Sequence, residues 1–190
     1  MNSILYSKLD CNHKQKEVIP LSDLVKIYNP DESKFDMYYK KLKIDSKDCN
    51  STLHNDDSDP HFVEWFKSLD ENERAAERLK NYYEWYKKYR DSYKLDFVIW
   101  IRKECITCYL VICCFSDSIN EIQMLEVMPS YKHSGLGTQL LQYAIEVYDA
   151  NRLDVHFDND IAIKMYTKAG FEICKRVGDK VVMYRKVSII

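Results

Sequence analysis

The most informative stretch of the sequence is Leu125-Glu126-Val127-Met128-Pro129-Ser130-Tyr131-Lys132-His133-Ser134-Gly135-Leu136-Gly137-Thr138-Gln139-Leu140-Leu141. The chain holds four glycines, and two of them, Gly135 and Gly137, lie here between an extended apolar run and a helical run that starts at Thr138. Glycine permits a sharp turn and a close approach to the backbone. Because the first amides of a helix lack intrahelical partners, they favour an anion. The stretch therefore predicts a strand, a turn that can hold phosphate, and a helix.

Length and charge limit the class of protein. With 190 residues and 46% hydrophobic content the chain can bury a full core, so we expect one domain over residues 1–190. A formal net charge of -2 gives no electrostatic reason to expect nucleic acid or a membrane as a partner. The sequence holds no apolar run of the ~18 residues that a membrane span needs, and its first residues do not resemble a signal peptide. We expect a cytoplasmic protein.

The seven cysteines agree with a reducing compartment. Cys105, Cys108, Cys113 and Cys114 crowd one strand-like segment, where successive side chains alternate faces and make poor disulfide partners. Cys105 and Cys108 have the C-x-x-C spacing, but no second cysteine or histidine pair follows at the spacing of a zinc site. We therefore expect reduced thiols in the core and no metal.

The second half of the chain shows alternating strand and helix patterns. The predicted strands are residues 97–102, 106–115, 121–127, 153–157, 171–176 and 181–186. The predicted helices are residues 138–150 and 160–168. The first three strands form a meander, and the last two form a hairpin across Gly178. This order indicates a mixed α/β (α+β) domain.

The first half gives weaker signals. We predict a strand at residues 4–9, a helix at 21–28 and, after an N-cap at Asp31, a helix over 35–42. Residues 45–59 are polar and predict a mobile surface loop, or alternatively a lid on the acceptor side.

Two further helices follow that loop. A short one starts at Pro60 and runs through Phe66, and a longer one ends near Tyr93. Ser68 and Glu71 have the S-x-x-E spacing of a capping box at the start of the longer helix. A stripe recurs along that helix at every third or fourth residue: Ala75, Leu79, Tyr82, Tyr86, Tyr89 and Tyr93. We expect this stripe to face the core, and a substrate-stacking surface is the alternative.

Two motifs resemble the GNAT family of N-acetyltransferases. The quoted stretch is similar to the family's acyl-CoA signature, in which an Arg or Gln precedes two glycines, although Lys132 stands at that first position. The spacing of Asn159, Ala162, Tyr166 and Gly170 resembles the family's second motif. The resemblance implies a central, mostly antiparallel sheet, splayed at residues 121–127 and flanked by helices. It also implies an acceptor-side half over about residues 1–94 and an acetyl-CoA-binding core over about 95–187.

The resemblance further implies a set of coenzyme-binding residues. They are Leu125, Val127, Lys132, His133, Ser134, Gly135, Leu136, Gly137, Thr138, Asn159 and Tyr166. The amides of residues 133–137 would hold the pyrophosphate, and backbone groups of Leu125 and Val127 would meet the pantetheine arm. Asn159 and Tyr166 lie seven residues apart, or two helical turns, so they share one helix face. Asn159 would contact the coenzyme, and Tyr166 would lie beside its sulfur.

The implied reaction is direct transfer of the acetyl group of acetyl-CoA to a primary amine. A phenol with a pKa near ~10 can protonate the leaving thiolate, so Tyr166 is the expected acid. The attacking ammonium must lose a proton, and Glu121 is the preferred base, while Glu126 and water stay open. Glu121 and Glu126 lie on opposite faces of a regular strand unless a bulge intervenes.

Two other functions stay open. One is a catalytically silent acyl-CoA-binding module with a regulatory or interaction role. The other is a structural interaction protein that uses the tyrosine stripe and binds no coenzyme. The sequence leaves the acceptor open between small-molecule amines and protein or peptide amines, and the resemblance allows a homodimer.

Overall fold

A computed structural model describes residues 19–43, 60–116 and 118–186. The predicted strand at residues 4–9 and the predicted loop at 45–59 lie outside the described residues. The strands are β1 Val25–Tyr28, β2 Leu95–Arg102, β3 Cys105–Ser116, β4 Ile119–Val127, β5 Arg152–His156, β6 Phe171–Val177 and β7 Lys180–Arg185. The helices are α1 Glu32–Lys43, α2 Pro60–Ser68, α3 Glu71–Tyr93, α4 Leu136–Tyr148 and α5 Asp160–Lys168. None of the helices in these three ranges is long and apolar enough to cross a membrane.

The seven strands form one sheet in the order β1-β2-β3-β4-β5-β7-β6. All neighbouring strands are antiparallel except β4 and β5, which are parallel and pair only through Glu121 with Arg152 and Ile122 with Leu153. The predicted mixed α/β fold with a mostly antiparallel sheet is confirmed. The sheet opens where the parallel pair ends.

Two hydrophobic layers cover the sheet, because its side chains alternate between the faces. Val98 and Trp100 of β2 join the core beneath α4 and α5. Phe97 and Ile99 join the core beneath α1 and α3. All four of these β2 side chains are fully buried. Helices α1 and α3 from the first half of the chain therefore cover one face, and α4 and α5 cover the other.

The helix predicted at residues 21–28 is wrong. The segment makes one 3-10 turn, Leu21–Asp23, and then becomes β1, which pairs with the edge of β2. A short apolar pattern fits both the helical period and the strand period. Where an open sheet edge is near, pairing with that edge favours the strand.

The start of α3 differs from the sequence prediction. The N-cap is Asp70 rather than Ser68: its Oδ1 accepts the Glu73 amide at 2.9 Å, and Glu73 Oε2 accepts the Asp70 amide at 2.8 Å. The Ser68 hydroxyl instead donates to the Trp65 carbonyl at 2.5 Å. The capping box is therefore present two residues later, because aspartate caps as well as serine and the box needs only the same spacing. The Asp31 cap of α1 is confirmed, since its Oδ1 accepts the Lys34 amide at 2.8 Å.

The predicted core stripe of α3 is correct in part. Ala75, Leu79 and Tyr86 are buried, but Tyr93 is 47% exposed, so its expected core position is wrong. The stripe omitted Tyr83, which is buried, stacks on Phe35 with ring centroids 3.6 Å apart, and donates to the Pro30 carbonyl at 2.8 Å. The contact with α1 turns the buried face toward Tyr83, and the last turn of α3 extends beyond the core.

The capping box makes a stability prediction. Asp70→Ala should lower the free energy of unfolding by about 1 kcal/mol, because the Glu73 amide loses its acceptor. Ser68→Ala is the matched control and should change it by less than about 0.5 kcal/mol. Urea unfolding followed by circular dichroism measures both. Equal losses in the two variants would contradict this assignment of the cap.

Candidate active site

The site is built around a gap between β4 and β5. The strands pair at Ile122 and Leu153 and not beyond. On the other side of β4, the Met128 amide donates to the Thr107 carbonyl of β3 at 2.9 Å. Because backbone groups alternate sides along a strand, those of Leu125 and Val127 point away from β3. The backbone groups of these two predicted residues therefore face the gap.

A β-bulge at the closed end of the gap changes the faces of β4. Val111 lies opposite Met124 and Ile112 lies opposite Ile122, so Gln123 is an extra residue. The bulge shifts the alternation by one, which places Glu121 and Glu126 on the same face, beneath α1 and α3. The arrangement expected for a regular strand is therefore wrong, and the bulge alternative is correct.

The turn between β4 and α4 forms an anion-binding helix start. Gly135 is the N-cap, with φ 82°, and α4 begins at Leu136, two residues earlier than predicted. His133 also has positive φ, at 62°. Across the described residues, the amides of residues 133–138 donate to no carbonyl. These free amides and the dipole of a 13-residue helix favour a phosphate group.

The side chains of this turn differ in what they can offer. Ser134 is 2% exposed, and its hydroxyl donates to the Tyr131 carbonyl at 2.5 Å, so only its amide is available. Leu136 is buried in the core beneath α4. The side chains of Lys132, His133 and Thr138 are exposed. The turn therefore binds through its backbone, and its charge comes from Lys132.

Gly137 joins three elements at the gap. A Cβ atom at this position would lie 3.5 Å from Met165 Sδ of α5 and 3.6 Å from Val127 Cγ2 of β4. Those are ordinary contact distances, so alanine fits, while a longer side chain would meet α5. Because Gly137 has no side chain, the start of α4 lies close to β4 and α5.

Tyr166 lies on the inner face of α5. It is 7% exposed, belongs to the core that Leu125 and Val127 border, and packs edge-on against Phe171 with centroids 6.1 Å apart. Burial raises the pKa of Tyr166 to about 12. Its hydroxyl therefore remains protonated at any ordinary pH. Asn159 caps the same helix, with its Oδ1 accepting the Ala162 amide at 3.2 Å, so its side-chain amide N–H groups remain as donors.

A groove between α4 and α5 continues from the anion-binding turn. Its volume is about 360 Å³. Its lining includes Thr138, Leu141 and Gln142 from α4 and Ile161, Lys164 and Lys168 from α5. Thr138 belongs to both the turn and the groove. A phosphorylated ligand held at the turn would therefore have two ammonium groups beside it.

The two candidate bases have different partners. Arg78 binds Glu126, with Nε 3.0 Å from Oε1, and the Tyr109 hydroxyl donates to Glu126 Oε2 at 2.8 Å. Burial, and then the Glu126 charge, raises the pKa of Tyr109 well above its usual value, which keeps this donor neutral. Both oxygens of Glu126 are therefore occupied by α3 and β3.

Glu121 is 6% exposed and forms an ion pair with Arg152, its neighbour on β5. Arg152 also lies 3.5 Å from Asp154 and 6.0 Å over the ring of Tyr184. The pair closes the end of the gap. Sequence reasoning missed Arg152 and Asp154, because only the β4–β5 register brings them to Glu121.

Lys132 lies beside the N-terminus of α3. Its ammonium forms an ion pair with Glu71, the first residue of that helix. The hydrogen bond from Lys132, and then its charge, lowers the pKa of Glu71. No local pattern in the sequence indicates this contact.

These features define a class of protein: a sheet that opens between two parallel strands, with an anion-binding helix start at the open end. The sequence model of the Acetyltransferase (GNAT) family matches residues 50–171, well over half of the chain. The chain belongs to this family, and the resemblance carried by the two motifs is confirmed. Membership supports acetyl-CoA-dependent acyl transfer as the general chemistry.

Solved structures show the same fold at low identity. A Pyrococcus horikoshii protein is 19% identical, with TM-score 0.56, over 87% of this chain and 98% of that one. The Campylobacter jejuni N-acetyltransferase PseH is 16% identical, with TM-score 0.51, over 87% and 99%. A GNAT-family putative acetyltransferase from Desulfovibrio desulfuricans is 14% identical, with TM-score 0.51, over 85% and 96%. No curated protein matches the chain.

Proposed function

We propose that this chain is an N-acetyltransferase that moves the acetyl group of acetyl-CoA directly to a primary amine of a small molecule, protein or peptide. One observation carries the proposal: free amides at the start of α4 lie at the open end of a gap that Leu125 and Val127 face. A pyrophosphate on those amides would direct the pantetheine arm along β4. Family membership supports the same chemistry.

We propose the following coenzyme-binding roles for the residues of the turn and the groove. The amides of residues 133–138 bind the pyrophosphate, and Lys132 supplies charge. Lys164 and Lys168 take the remaining phosphate in the groove. Asn159 donates through its side-chain amide. We further propose that residues 1–190 form one domain, since β1 from the first half completes the sheet of the second.

In the proposed step the deprotonated amine attacks the thioester carbonyl, the new C–N bond forms, and the C–S bond breaks. The electron pair leaves with sulfur, and the Tyr166 hydroxyl donates the proton that makes the thiol. The second proton, which the nitrogen loses as the amide forms, returns to Tyr166 and restores its hydroxyl. The ammonium's proton goes to Glu121, directly or through water. Burial raises the pKa of Cys108 to about 12 and also raises those of Cys113 and Cys114, so these thiols are poor nucleophiles. This favours direct transfer over an acetyl-cysteine intermediate.

Glu121 is the better base because Glu126 has no free oxygen. Arg78 and Tyr109 together occupy both oxygens of Glu126. Glu121 has one arginine partner, and that arginine is shared with Asp154. Glu121 also lies on the last paired stretch of β4, at the closed end of the gap, where the thioester would lie.

The role of Tyr166 predicts a specific loss. Tyr166→Phe should lower kcat by about 10²-fold, the usual size of general-acid catalysis, and leave the Kd of acetyl-CoA unchanged. Tyr143→Phe removes another buried hydroxyl from the same core and is the control, with kcat retained. Steady-state release of coenzyme A thiol on a panel of amines gives kcat, and calorimetry gives Kd. An unchanged kcat in Tyr166→Phe would remove this residue from the mechanism.

The role of Glu121 predicts a pH-dependent loss. Glu121→Gln should lower kcat/KM at pH 7 and regain rate as the pH rises toward the amine's own pKa, about 10.4 for a lysine-type amine. Asp154→Asn is the matched control, because it removes the other carboxylate of Arg152 but no base. pH profiles of kcat/KM measure both. A loss that is equal at every pH, or shared by Asp154→Asn, would show that Glu121 only holds Arg152.

A catalytically silent acyl-CoA-binding module is the second candidate. One observation favours it: Glu121 and Glu126 both have arginine partners. Binding of acetyl-CoA without thiol release on any amine would support this function.

A further inference from the structure

We propose that Glu71 competes with the phosphates of the coenzyme for Lys132 and so sets the affinity of the site. This inference rests on the proposed function. The observation is the ion pair between the Lys132 ammonium, at the edge of the anion-binding turn, and the Glu71 carboxylate of α3. Lys132 directly precedes the free amides of residues 133–138.

Glu71 is held in place by its helix. The capping box of Asp70 and Glu73 fixes the backbone on both sides of it. The helix also packs against Pro129–Tyr131, the 3-10 turn that leads into Lys132. The backbone of Glu71 is therefore held beside the turn, within reach of Lys132.

The ion pair can exchange. The side chains of Lys132 and Glu71 are 44% and 56% exposed, and exposed ion pairs are weak. A phosphate at the turn presents more negative charge to the ammonium than one carboxylate does. Lys132 therefore transfers to the phosphate, and its ion pair with Glu71 is lost. The loss of that ion pair makes binding weaker than it would be without Glu71.

The contact also links the two halves of the chain. Lys132 lies in the predicted coenzyme-binding core, and Glu71 begins the long helix of the acceptor-side half. A ligand that takes Lys132 releases Glu71, so by linkage a stronger ion pair lowers the ligand's affinity and a weaker pair raises it. Glu71 is thus a positioning residue for Lys132, and its effect appears in coenzyme affinity.

The test is calorimetry of coenzyme A with wild type, Glu71→Gln, Lys132→Met and the double variant. Glu71→Gln should bind about two- to fivefold more tightly, which is the range expected for an exposed ion pair. Lys132→Met should bind more weakly, and the gain from Glu71→Gln should disappear in its background. Glu84→Gln removes the same charge from the exposed side of the same helix and should leave Kd unchanged.

The outcomes separate this inference from the function on which it rests. Unchanged or weaker binding by Glu71→Gln, while wild type binds, overturns this inference alone. An equal gain with and without Lys132 also overturns it, because Glu71 would then act on the ligand directly. Failure of the folded wild type to bind coenzyme A overturns the proposed function, and this inference with it.

Discussion

The structure depends on the point at which β4 and β5 stop pairing. Two residue pairs join these strands, and a bulge at Gln123 immediately follows the second on β4. Beyond it, the backbone groups of Leu125 and Val127 have β3 behind them and, within residues 19–43, 60–116 and 118–186, no strand in front. An unpaired strand edge inside a protein is costly unless a ligand or water satisfies it. We propose that the gap takes an extended ligand with amide groups, and the pantetheine arm of coenzyme A is such a ligand.

Charged contacts hold β4 to its neighbours beside this gap. Arg78 of α3 forms an ion pair with Glu126 of β4. At the closed end of the gap, Glu121 of β4 forms an ion pair with Arg152 of β5. The removal of one partner from such a buried pair leaves a charge without compensation. These contacts restrain β4 beside the opening, and a site that keeps a thioester and an amine in register needs such restraint. The exposed contact between Lys132 and Glu71 differs in being able to exchange.

The elements of the predicted coenzyme-binding core, β4, α4 and α5, are predictable because their sequence signals are local. Gly135 and Gly137 mark the turn, and the apolar periods on both sides give β4 and α4. Helix α5 has the predicted bounds, 160–168, because Asn159 and Asp160 give a clear start. The sequence predicts the start of α3 two residues too early, because Ser68 and Asp70 are both suitable N-caps. Packing decides between them.

The less predictable features arise from contacts between distant residues. The bulge at Gln123 depends on the register with β3, and the partner of Glu121 depends on the register with β5. Glu126 and Arg78 lie 48 residues apart, and Lys132 and Glu71 lie 61 apart. No pattern within one helix or strand contains such a pair. The sequence could therefore indicate the carboxylates that suit a base, but not which of them the fold leaves accessible.

The most direct test of the account is calorimetry of acetyl-CoA with wild type and Gly135→Asp. Gly135 has positive φ at the helix start, so an aspartate there strains the turn and puts a negative charge beside the free amides. Gly178→Asp is the matched control, because this hairpin glycine has φ 61° and open space around it. We predict micromolar binding by wild type and Gly178→Asp, and none by Gly135→Asp. Equal binding by both variants, or no binding by a folded wild type, would contradict it.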